Sequence, residues 1–467
     1  MNARVVIVGA GPAGVRCAEA LVAQGLRPVV VDESMRDGGQ IYRRQPEGFR
    51  RTGETLYGSE ARKAASLHAT FDRLQDRIDY RPRTLAWNVA ADKLHVIRDG
   101  LAEAVPWDAL VLCPGAVDRL LPVPGWQWAG TFTLGGAQVA LKGQACAIGR
   151  RTVFAGSGPL LYLAAAQYAE AGADVAAVLD TSTFAQSFRA LPGLAAKPAL
   201  LAKGAGLLAG LRRRGIPVRR GIRPVAIEGD ADHGVRGFAW REGAAGARRV
   251  DCDAIALGWH LRPETQLAEL AGCEFAWDAL TGQWLPRVDE DGRIATPRVY
   301  LAGDGARVLG ADAAEDNGRL AALAALADLG LPVDPSQPPR LRERLTHHRR
   351  FADALARAYP WPGHLAASLP DEALVCRCEG LTAGQLRETA KDPGADEINR
   401  AKALMRVGMG RCQGRYCGHA AAEVLAAASG CPPDAVGRLR VQAPVKPIAI
   451  ATDPAPPPES AGRAGKP

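Results

Sequence analysis

The N-terminal run VVIVGAGPAG constrains the fold of this chain more than any other part of the sequence. A short apolar strand leads into Gly9, Gly11 and Gly14, and an apolar pattern with helical spacing follows them. In a βαβ unit the first glycine of such a turn permits the sharp bend, the second lets backbone approach a pyrophosphate, and the third lets helix and strand pack closely. The helix start also offers free N–H groups to phosphates. The run therefore predicts a parallel α/β sheet that binds a dinucleotide.

Acidic residues follow the second strand of this unit, PVVVD. Asp32 closes the strand, where a carboxylate accepts hydrogen bonds from ribose hydroxyls and disfavours a 2′-phosphate. Glu33 is the neighbouring candidate for the same role. Pro12 and Ala13 complete the turn between the second and third glycines, so they belong to the same predicted cofactor site.

A second unit of the same layout, RRTVFAGSGPLLYLAAAQYAEAGADVAAVLD, occupies residues 150–180. Gly156 and Gly158 begin its turn, but Leu161 stands where the third glycine belongs. A leucine there should push the helix away from the strand and disturb the approach of a pyrophosphate. One interpretation is a structural half that has lost its nucleotide, and the other is an NAD(P) site with an altered turn. Asp180 favours NAD over NADP in the second case.

Two cysteine pairs near the C-terminus predict a site of another kind. Cys376 and Cys378 lie in VCRCEG, and Cys412 and Cys417 lie in GMGRCQGRYCG. Four thiolates in two close pairs can hold zinc or a [2Fe–2S] cluster. The Cys-x-Cys spacing is less usual for zinc, which favours iron. Unliganded thiols are the remaining alternative.

Size and composition bound the class of protein. A chain of 467 residues and 49.2 kDa predicts two or three domains. The other cysteines are scattered singly, which indicates reduced thiols in the cytoplasm. No apolar run is long enough for a transmembrane helix, and the N-terminal apolar run ends in glycines and does not resemble a signal peptide.

The net charge of +8 is concentrated in two arginine-rich runs, RRRGIPVRRGIR around residues 212–223 and RLRERLTHHRR at 340–350. We interpret them mainly as solvated faces, with an anionic membrane surface as the alternative. A nucleic-acid partner is not expected, because no aromatic residues are interleaved with the charge.

Two strand ends resemble motifs of flavoproteins with two dinucleotide-binding domains, over roughly residues 1–330. Gly303–Asp304 in VYLAGDGA looks like the motif whose aspartate bonds a ribityl hydroxyl, and whose next helix, here beginning near Ala311, points at the flavin. Cys113–Gly115 resembles the turn written Ala-Thr-Gly in that superfamily, which adds Gly115 to the cofactor-binding candidates. The resemblance implies FAD at the first site.

The cysteine segment resembles the bacterioferritin-associated-ferredoxin type of [2Fe–2S] domain, on CRC at 376–378 and GMGRCQGRYC at 408–417. In that family all four cysteines bind iron. The wider spacing of the second pair is similar to that of domains appended to flavoprotein dehydrogenases. Arg377, Arg411 and Arg415 would add positive charge beside such a cluster.

Over nearly its whole length the chain resembles the A (alpha) subunits of opine oxidases and hydroxyproline dehydrogenases and the corresponding hydrogen cyanide synthase subunit. GGQIYRRQP at 38–46, LGWHLRPETQLA at 257–268 and VQAPVKPI at 441–448 carry this closer resemblance. It adds Gly39 and Gln40 to the cofactor-binding candidates. The family varies at the first site, where ATP or NAD can replace FAD.

The implied fold class is α/β, with two dinucleotide-binding, Rossmann-like domains of the glutathione-reductase type and a small helical C-terminal [2Fe–2S] domain. We expect the divisions 1–121 (first part of the FAD domain), 122–262 (degenerate NAD-like domain), 263–330 (return to the FAD domain), 331–370 (linker), 371–437 ([2Fe–2S] domain) and 438–467 (a partly disordered tail).

The flavin half lacks evident machinery for choosing a substrate. His260, just after a strand end, is the only histidine placed as a candidate base, and a structural contact is the alternative. Cys113 is a second weak candidate, with packing at a strand end as the alternative. No close cysteine pair lies in the flavin half, so a disulfide reductase mechanism is not expected. The catalytic residues are therefore left unassigned.

In the resembled family a second flavoprotein subunit oxidises an amine at a C–N bond, and the alpha subunit passes electrons on. This implies an FAD-dependent oxidoreductase subunit of a dye-linked heteromer acting on opines, D-hydroxyproline or proline. Implied partners are a D-amino-acid-oxidase-like beta subunit, optionally a ferredoxin-like gamma subunit, and a quinone or respiratory acceptor. FMN at a subunit interface is a further implied cofactor. The resemblance also implies a cytoplasmic protein that can attach to the inner face of the membrane.

Two other functions stay open on the sequence alone. One is a self-sufficient NAD(P)H:acceptor reductase that uses the second half as a nicotinamide site. The other is a non-enzymatic iron–sulfur carrier or scaffold with a vestigial nucleotide fold.

Overall fold

The computed structural model describes residues 3–243 and 246–449. Its first stretch opens with the predicted strand, turn, helix and strand, and continues into an antiparallel three-stranded sheet. The elements of this stretch are β1 (Val5–Val8), α1 (Pro12–Ala23), β2 (Val29–Val31), α2 (Gly53–Tyr57), α3 (Ala61–Leu74), β3 (Asp79–Arg81), β4 (Leu85–Ala90), β5 (Lys93–Arg98), β6 (Leu101–Pro106) and β7 (Ala109–Leu112).

The second stretch repeats the βαβ layout and adds a helical hairpin and a second antiparallel sheet. Its elements are β8 (Ala116–Asp118), β9 (Thr131–Thr133), α4 (Leu134–Gly143), β10 (Arg151–Ser157), α5 (Pro159–Glu170), β11 (Asp174–Asp180), α6 (Phe184–Leu194), α7 (Pro198–Arg213), β12 (Val218–Arg220), β13 (Ile222–Asp230), β14 (Gly234–Glu242), β15 (Arg248–Asp251), β16 (Ala254–Trp259) and β17 (Leu261–Pro263).

The chain then returns to the first sheet. This stretch contains α8 (Gln266–Leu270), β18 (Phe275–Asp278), β19 (Gln283–Pro286), β20 (Val299–Leu301), a 3-10 turn (Gly303–Gly305) and α9 (Ala311–Asp328). The last helix begins at the residue predicted for it.

The first parallel sheet has the strand order β20-β7-β1-β2-β3. Its central strands β1 and β7 are buried along their whole length, as expected when helices cover one face and other structure the opposite face. Helices α1 and α9 cross very closely, since a Cβ added at Gly318 would lie 2.0 Å from the backbone oxygen of Ala13. Every strand of this sheet lies in the ranges 1–121 and 263–330.

The second parallel sheet has the order β12-β11-β10-β16-β9, and all its strands lie in the range 122–262. The antiparallel pair β8–β17 connects the two halves, with Asp118 opposite Leu261. Helices α6 and α7 form an excursion between β11 and β12.

The range 331–370, expected as a linker, is mostly helical. It contains the 22-residue helix α10 (Gln337–Ala358) and the short α11 (Gly363–Ala367). Pro338 and Pro339 lie in the first turn of α10, where a missing N–H costs nothing. Buried Leu341, Ala354 and Ala358 hold the helix on the domains, so helical spacing decided the structure despite the proline-rich start.

The cysteine segment is a small helical module built on β21 (Leu374–Cys376), β22 (Leu381–Thr382), α12 (Ala383–Thr389), α13 (Ile398–Met405), α14 (Gly418–Ser429) and α15 (Pro433–Val436). Thr382 and Gln385 form a capping box at the start of α12. Helix α14 ends at Gly430, whose φ of 67° is left-handed.

The segment 438–449 does not behave as a loose tail. Val445 is buried, donates its N–H to the oxygen of Trp87 over 3.1 Å, and joins the core of the first domain. The remainder of the expected tail, 450–467, lies outside the described residues. No helix in the described part of the chain is long and apolar enough to cross a membrane.

Candidate functional site

The glycine turn of the first domain is tight enough to exclude side chains at two positions. Gly9 has a φ of +104°, and a Cβ there would lie 2.3 Å from the oxygen of Cys113. A Cβ at Gly14 would lie 1.8 Å from the oxygen of Gly9. Helix α1 starts at Pro12 with no side chain capping its first N–H groups. The turn therefore presents free backbone donors, as a pyrophosphate requires.

Asp32 is fixed by the same turn. Its two carboxylate oxygens accept the N–H groups of Ala10 and Ser34, each over 2.6 Å. Burial raises its pKa, while these two hydrogen bonds lower it. Each oxygen keeps a second lone pair, so the carboxylate can also accept ribose hydroxyls. Glu33 instead faces solvent and forms an ion pair with Lys446 from the C-terminal segment.

The loop with Gly39 and Gln40 folds over the turn. Gly38 donates its N–H to the oxygen of Ala10 over 2.9 Å, and a Cβ at Gly39 would lie 3.0 Å from Cα of Gly11. Gln40 is exposed and accepts a hydrogen bond from Arg43. The loop can therefore close over a bound nucleotide.

The second flavin motif meets the first at this edge of the sheet. Gly303 has a φ of +68°, and a Cβ there would lie 2.9 Å from Cβ of Ala13. Asp304 accepts the N–H groups of Leu309 (3.0 Å) and Gly310 (3.2 Å), which fixes the approach to α9. Gly115, with a φ of +74°, faces open space, since a Cβ there would have no atom within 4 Å. The glycine turn, Asp32 and Gly303–Asp304 thus lie together at one edge of the sheet, whereas Glu33 faces solvent.

The four cysteines of the module are also brought together. The thiol of Cys417 lies close enough to those of Cys376 and Cys412 to shift their pKa values, and Cys378 acts on Cys412 in the same way. The proximity of Cys417 lowers the pKa of Cys376 to about 6 and that of Cys412 to about 5. None of the four is in a disulfide. As they stand, no three His, Cys, Asp or Glu side chains within residues 3–243 and 246–449 are arranged around one metal ion.

The surroundings of the cysteines suit a cluster. A [2Fe–2S] cluster takes four cysteine thiolates, shared between two irons. A Cβ at Gly410 would lie 2.2 Å from Cβ of Cys378, and Gly408 and Gly414 both have left-handed φ angles. The loop can thus pass close to the thiols. Cys417 is buried whereas Cys378 is exposed, so one side of the site faces the protein and the other faces solvent.

A short bridge of side chains joins the loop Cys412–Cys417, called here the cluster loop, to the turn Cys113–Gly115, called here the flavin turn. Glu264 donates its N–H to the oxygen of Gly115 over 3.0 Å, and its carboxylate accepts from Nε of Arg415 over 2.6 Å. Arg415 lies between two of the predicted iron ligands and has a side chain only 8% exposed. Gln266 adds a bond to the oxygen of Gln413 over 2.7 Å.

Arg262 is a partly buried cation at this bridge. Its Nη2 donates to the oxygen of Arg415 over 3.1 Å, while its Nε has no partner among the described residues. Burial lowers its pKa, and the nearby charges of Glu264, Cys412 and Cys417 oppose that effect. No sequence motif had assigned a role to Arg262, Glu264 or Gln266. The sequence indicated their importance only in that they lie in LGWHLRPETQLA, a run that carries the family resemblance.

The nucleotide position of the second half is filled by side chains of the chain itself. The ring of His260 covers Gly158, since a Cβ there would lie 3.3 Å from it. Asp180, predicted as a ribose acid, is completely buried and accepts hydrogen bonds from the hydroxyl of Tyr162 and the N–H of Ser182. Arg220 lies 3.6 Å from the same carboxylate. Leu161 is fully buried in the helix-side core.

The two weak catalytic candidates lie in structural environments. The Nε2 of His260 donates to the oxygen of Tyr359 over 2.7 Å, and burial lowers its pKa to about 4. Cys113 is packed in the core between helices and sheet, and burial raises its pKa to about 12. A neutral, engaged imidazole and a protonated thiol are poorly suited to proton abstraction or nucleophilic attack at neutral pH.

Comparison with known families agrees with this geometry. The pyridine nucleotide-disulphide oxidoreductase family matches residues 3–324, and the BFD-like [2Fe-2S] binding domain matches residues 374–427. The first match indicates FAD and the second a [2Fe–2S] cluster, which confirms both cofactor predictions and the predicted fold class. All four cysteines fall inside the second match.

Curated relatives align over nearly the whole chain. The A subunit of opine oxidase from Rhizobium meliloti is 38% identical over 96% of this chain and 86% of its own length. The HcnB subunit of hydrogen cyanide synthase from Pseudomonas aeruginosa is 33% identical over 96% of this chain and 97% of its own length.

Solved structures share the fold. L-Proline dehydrogenase from P. horikoshii covers 96% of this chain and 78% of its own, with a TM-score of 0.69 at 20% identity. Thioredoxin reductase from T. acidophilum covers 70% of this chain and 98% of its own, with a TM-score of 0.50 at 19% identity. The chain belongs to the pyridine nucleotide-disulphide oxidoreductases and, within them, to the oxidoreductase family of the opine oxidase A and HcnB subunits, with a BFD-like [2Fe–2S] domain at its C-terminal end.

Proposed function

We propose that this chain is the electron-transferring subunit of a heteromeric amine or amino-acid dehydrogenase of the opine, D-hydroxyproline or proline type. A D-amino-acid-oxidase-like flavoprotein partner removes two electrons and two protons from the substrate at its C–N bond. An interfacial FMN and a ferredoxin-like third subunit fit the same scheme. The electrons leave through this chain to a quinone or respiratory carrier, from a cytoplasmic position at the inner membrane face.

The observation that carries the proposal is the bridge between the two cofactor sites. Glu264 contacts Gly115 of the flavin turn through its N–H and Arg415 of the cluster loop through its carboxylate. When bound, FAD exchanges electron pairs and the [2Fe–2S] cluster transfers single electrons. The bridge residues hold the two sites against each other within one chain, which suits transfer between them.

The site also lacks features that a self-sufficient enzyme needs. The best-placed histidine is buried against Tyr359, and Cys113 is packed in the core. Because Asp180 and Gly158 are covered, the second half offers little room for a nicotinamide nucleotide. These observations favour the subunit function over an NAD(P)H reductase. We assign iron ligation to Cys376, Cys378, Cys412 and Cys417, and nucleotide binding to the glycine turn, Asp32 and Asp304.

The test compares the isolated chain with the native complex, purified through a tag on this chain. The isolated chain should not reduce a redox dye when it is given an opine, D-hydroxyproline or proline. The complex should reduce the dye with one of these substrates. NADH should not bleach the flavin of the isolated chain. Substrate-dependent dye reduction by the chain alone would overturn the proposal.

A pair of cysteine variants sharpens this test. Cys412→Ser should abolish the EPR signal of the reduced cluster and most substrate-driven dye reduction, because it removes a proposed iron ligand. Cys431→Ser is the matched control, since its thiol donates to the oxygen of Ser429 and lies outside the quartet. Equal losses in both variants would contradict the assigned ligands.

A further inference from the structure

A helical surface on the second domain combines exposed apolar side chains with a segment of sequence, residues 181–227, that contains no Asp or Glu. We define the α6 face as Phe184, Phe188 and Leu191, which are 64%, 74% and 38% exposed. They stand at positions i, i+4 and i+7, so they share one side of helix α6. Leu200 and Leu201 at the start of α7 are also exposed. Large apolar side chains projecting together from a surface helix mark an interaction site.

The charge pattern around this face is one-sided. From residue 181 to 227 the sequence has no Asp or Glu, and it has nine basic residues: Arg189, Lys197, Lys203, Arg212, Arg213, Arg214, Arg219, Arg220 and Arg223. Some are neutralised by acids elsewhere in the chain, as Lys203 is by Glu60 and Arg220 by Asp180. Arg189 and Arg212–Arg214 remain exposed.

The fold brings both arginine-rich runs of the sequence to the two ends of α6. At the N-terminal end, the guanidinium of Arg220 lies 4.7 Å from the ring centre of Phe184. At the C-terminal end, Nζ of Lys197 lies 2.5 Å from Nδ1 of His348 in helix α10. Arg349 and Arg350 follow on α10 and are exposed. The apolar face is thus bracketed by basic residues from distant parts of the chain.

The inner side of α6 packs against α10 and holds the helix in place without help from its outer side. Ala190 and Leu194 are buried against α10, where a Cβ at Gly193 would lie 2.7 Å from Cβ of Ala354. The helix therefore already has a packed side that anchors it. Its second apolar side contributes nothing to that core, and leaving it in water is unfavourable.

We propose that the α6 face and its basic flanks bind the surface of a membrane rich in anionic lipids. Phenyl and leucyl side chains enter the boundary between headgroups and acyl chains, while the arginines meet lipid phosphates. A face whose own segment, residues 181–227, carries nine basic and no acidic residues fits this occupant better than a protein partner, whose surface carries both signs of charge. The inference deepens the proposed function by naming the surface that brings the chain to a lipid-soluble acceptor.

Vesicle binding tests the inference without reference to catalysis. The FAD- and cluster-loaded full chain is mixed with phosphatidylglycerol vesicles or phosphatidylcholine vesicles and separated by flotation. It should float with the anionic vesicles only, and about 0.5 M salt should release most of it. Phe188→Ser with Leu191→Ser should weaken binding about tenfold, and Arg349→Gln with Arg350→Gln should weaken it severalfold.

The matched control is Leu101→Ser, because Leu101 is a similarly exposed apolar residue (72%) on the separate sheet β4–β6. It should bind vesicles like the unchanged chain. Flavin content and the EPR signal of each variant establish that it is folded. Absence of flotation with anionic vesicles, or equal binding by the α6 variants, overturns the inference.

A third result would also overturn the inference. The α6 variants could float normally with anionic vesicles and yet fail to assemble with their partner subunits, which would make the α6 face a subunit interface. Dye reduction by the native complex in detergent solution reports the proposed function separately. Loss of vesicle binding with intact dye reduction leaves that function standing.

Discussion

At the scale of single residues, Arg262 is the side chain that we expect to act most directly on the reduction potential of the cluster. It is a partly buried guanidinium near Cys412 and Cys417, and the only hydrogen bond of its side chain among the described residues goes to the oxygen of Arg415. Reduction adds a negative charge to a cluster, so a fixed positive charge in a poorly screened position favours the reduced form.

Arg262→Gln should therefore lower the midpoint potential of the cluster by about 60 mV, which corresponds to about 1.4 kcal/mol for one electron. Arg262→Lys should restore most of the shift. EPR-monitored redox titration measures both. Arg411→Gln, at the exposed residue just before the cluster loop, serves as the control and should cause a smaller shift because water screens it. Equal shifts would refute a special role for the partly buried arginine.

His260 makes a second prediction at this scale, on pH dependence. Burial lowers its pKa to about 4, whereas the unfolded chain titrates near the ordinary value of about 6.5. The unfolded state therefore binds a proton first as pH falls. Stability from the neutral imidazole is complete above about pH 6.5 and is lost progressively toward pH 4, by on the order of 2 kcal/mol.

His260→Gln keeps a donor for the oxygen of Tyr359 but cannot titrate. Its unfolding free energy should fall less steeply than that of the unchanged chain between pH 6.5 and 4, as measured by urea denaturation at several pH values. If the unfolding free energies of the two proteins fell equally with pH, His260 would not account for the loss of stability in acid.

At the scale of elements, the crossing of α1 and α9 is the contact that shapes the nucleotide cradle. A Cβ at Gly318 would lie 2.0 Å from the backbone oxygen of Ala13, and backbone cannot yield as a flexible side chain can. Gly318→Ala should force the helices apart, cost about 2–3 kcal/mol of stability and weaken FAD retention.

Gly206→Ala is the matched control, because Gly206 lies inside helix α7 with no atom within 4 Å of its Cβ position. It should raise stability by about 0.5–1 kcal/mol, since alanine favours a helix. Thermal unfolding and FAD release distinguish the two. A neutral Gly318→Ala variant would contradict the close crossing.

The elements also show what the sequence could and could not predict. The strand, turn and helix around Gly9, Gly11 and Gly14 follow local rules, so pattern alone placed them correctly. Helix α10 was missed because its prolines suggested a linker, although Leu341 and Ala354 follow helical spacing. Leu161 made a structural half without its nucleotide one of two interpretations of the second domain. The contacts of Tyr162 with Asp180 and of His260 with Gly158 are tertiary contacts that no local pattern reports.

At the scale of the whole molecule, the C-terminal segment ties the cluster module to the nucleotide cradle. Nη1 of Arg415 donates to the oxygen of Val445 over 2.7 Å, and the next residue, Lys446, forms an ion pair with Glu33. The two sites should therefore be energetically coupled although they occupy different domains.

Removing the cluster with a chelator after reduction should loosen the Cys412–Cys417 loop and speed FAD release about fivefold, a coupling of about 1 kcal/mol. The recovery of flavin fluorescence measures this rate. A chain with Lys446→Gln, which lacks one anchor of the segment, should respond less to chelation. Identical release rates with and without cluster would exclude the coupling.

The path of the segment 438–449 has a consequence for biosynthesis. The segment is the last described part to leave the ribosome, and its resting place requires both a formed cysteine loop and a formed first domain. We expect newly made chains to receive iron and sulfur before the segment settles against Arg415 and Glu33. Cells starved of iron should accumulate full-length chains that are poor in flavin as well, so maturation of one centre acts as a checkpoint for the other.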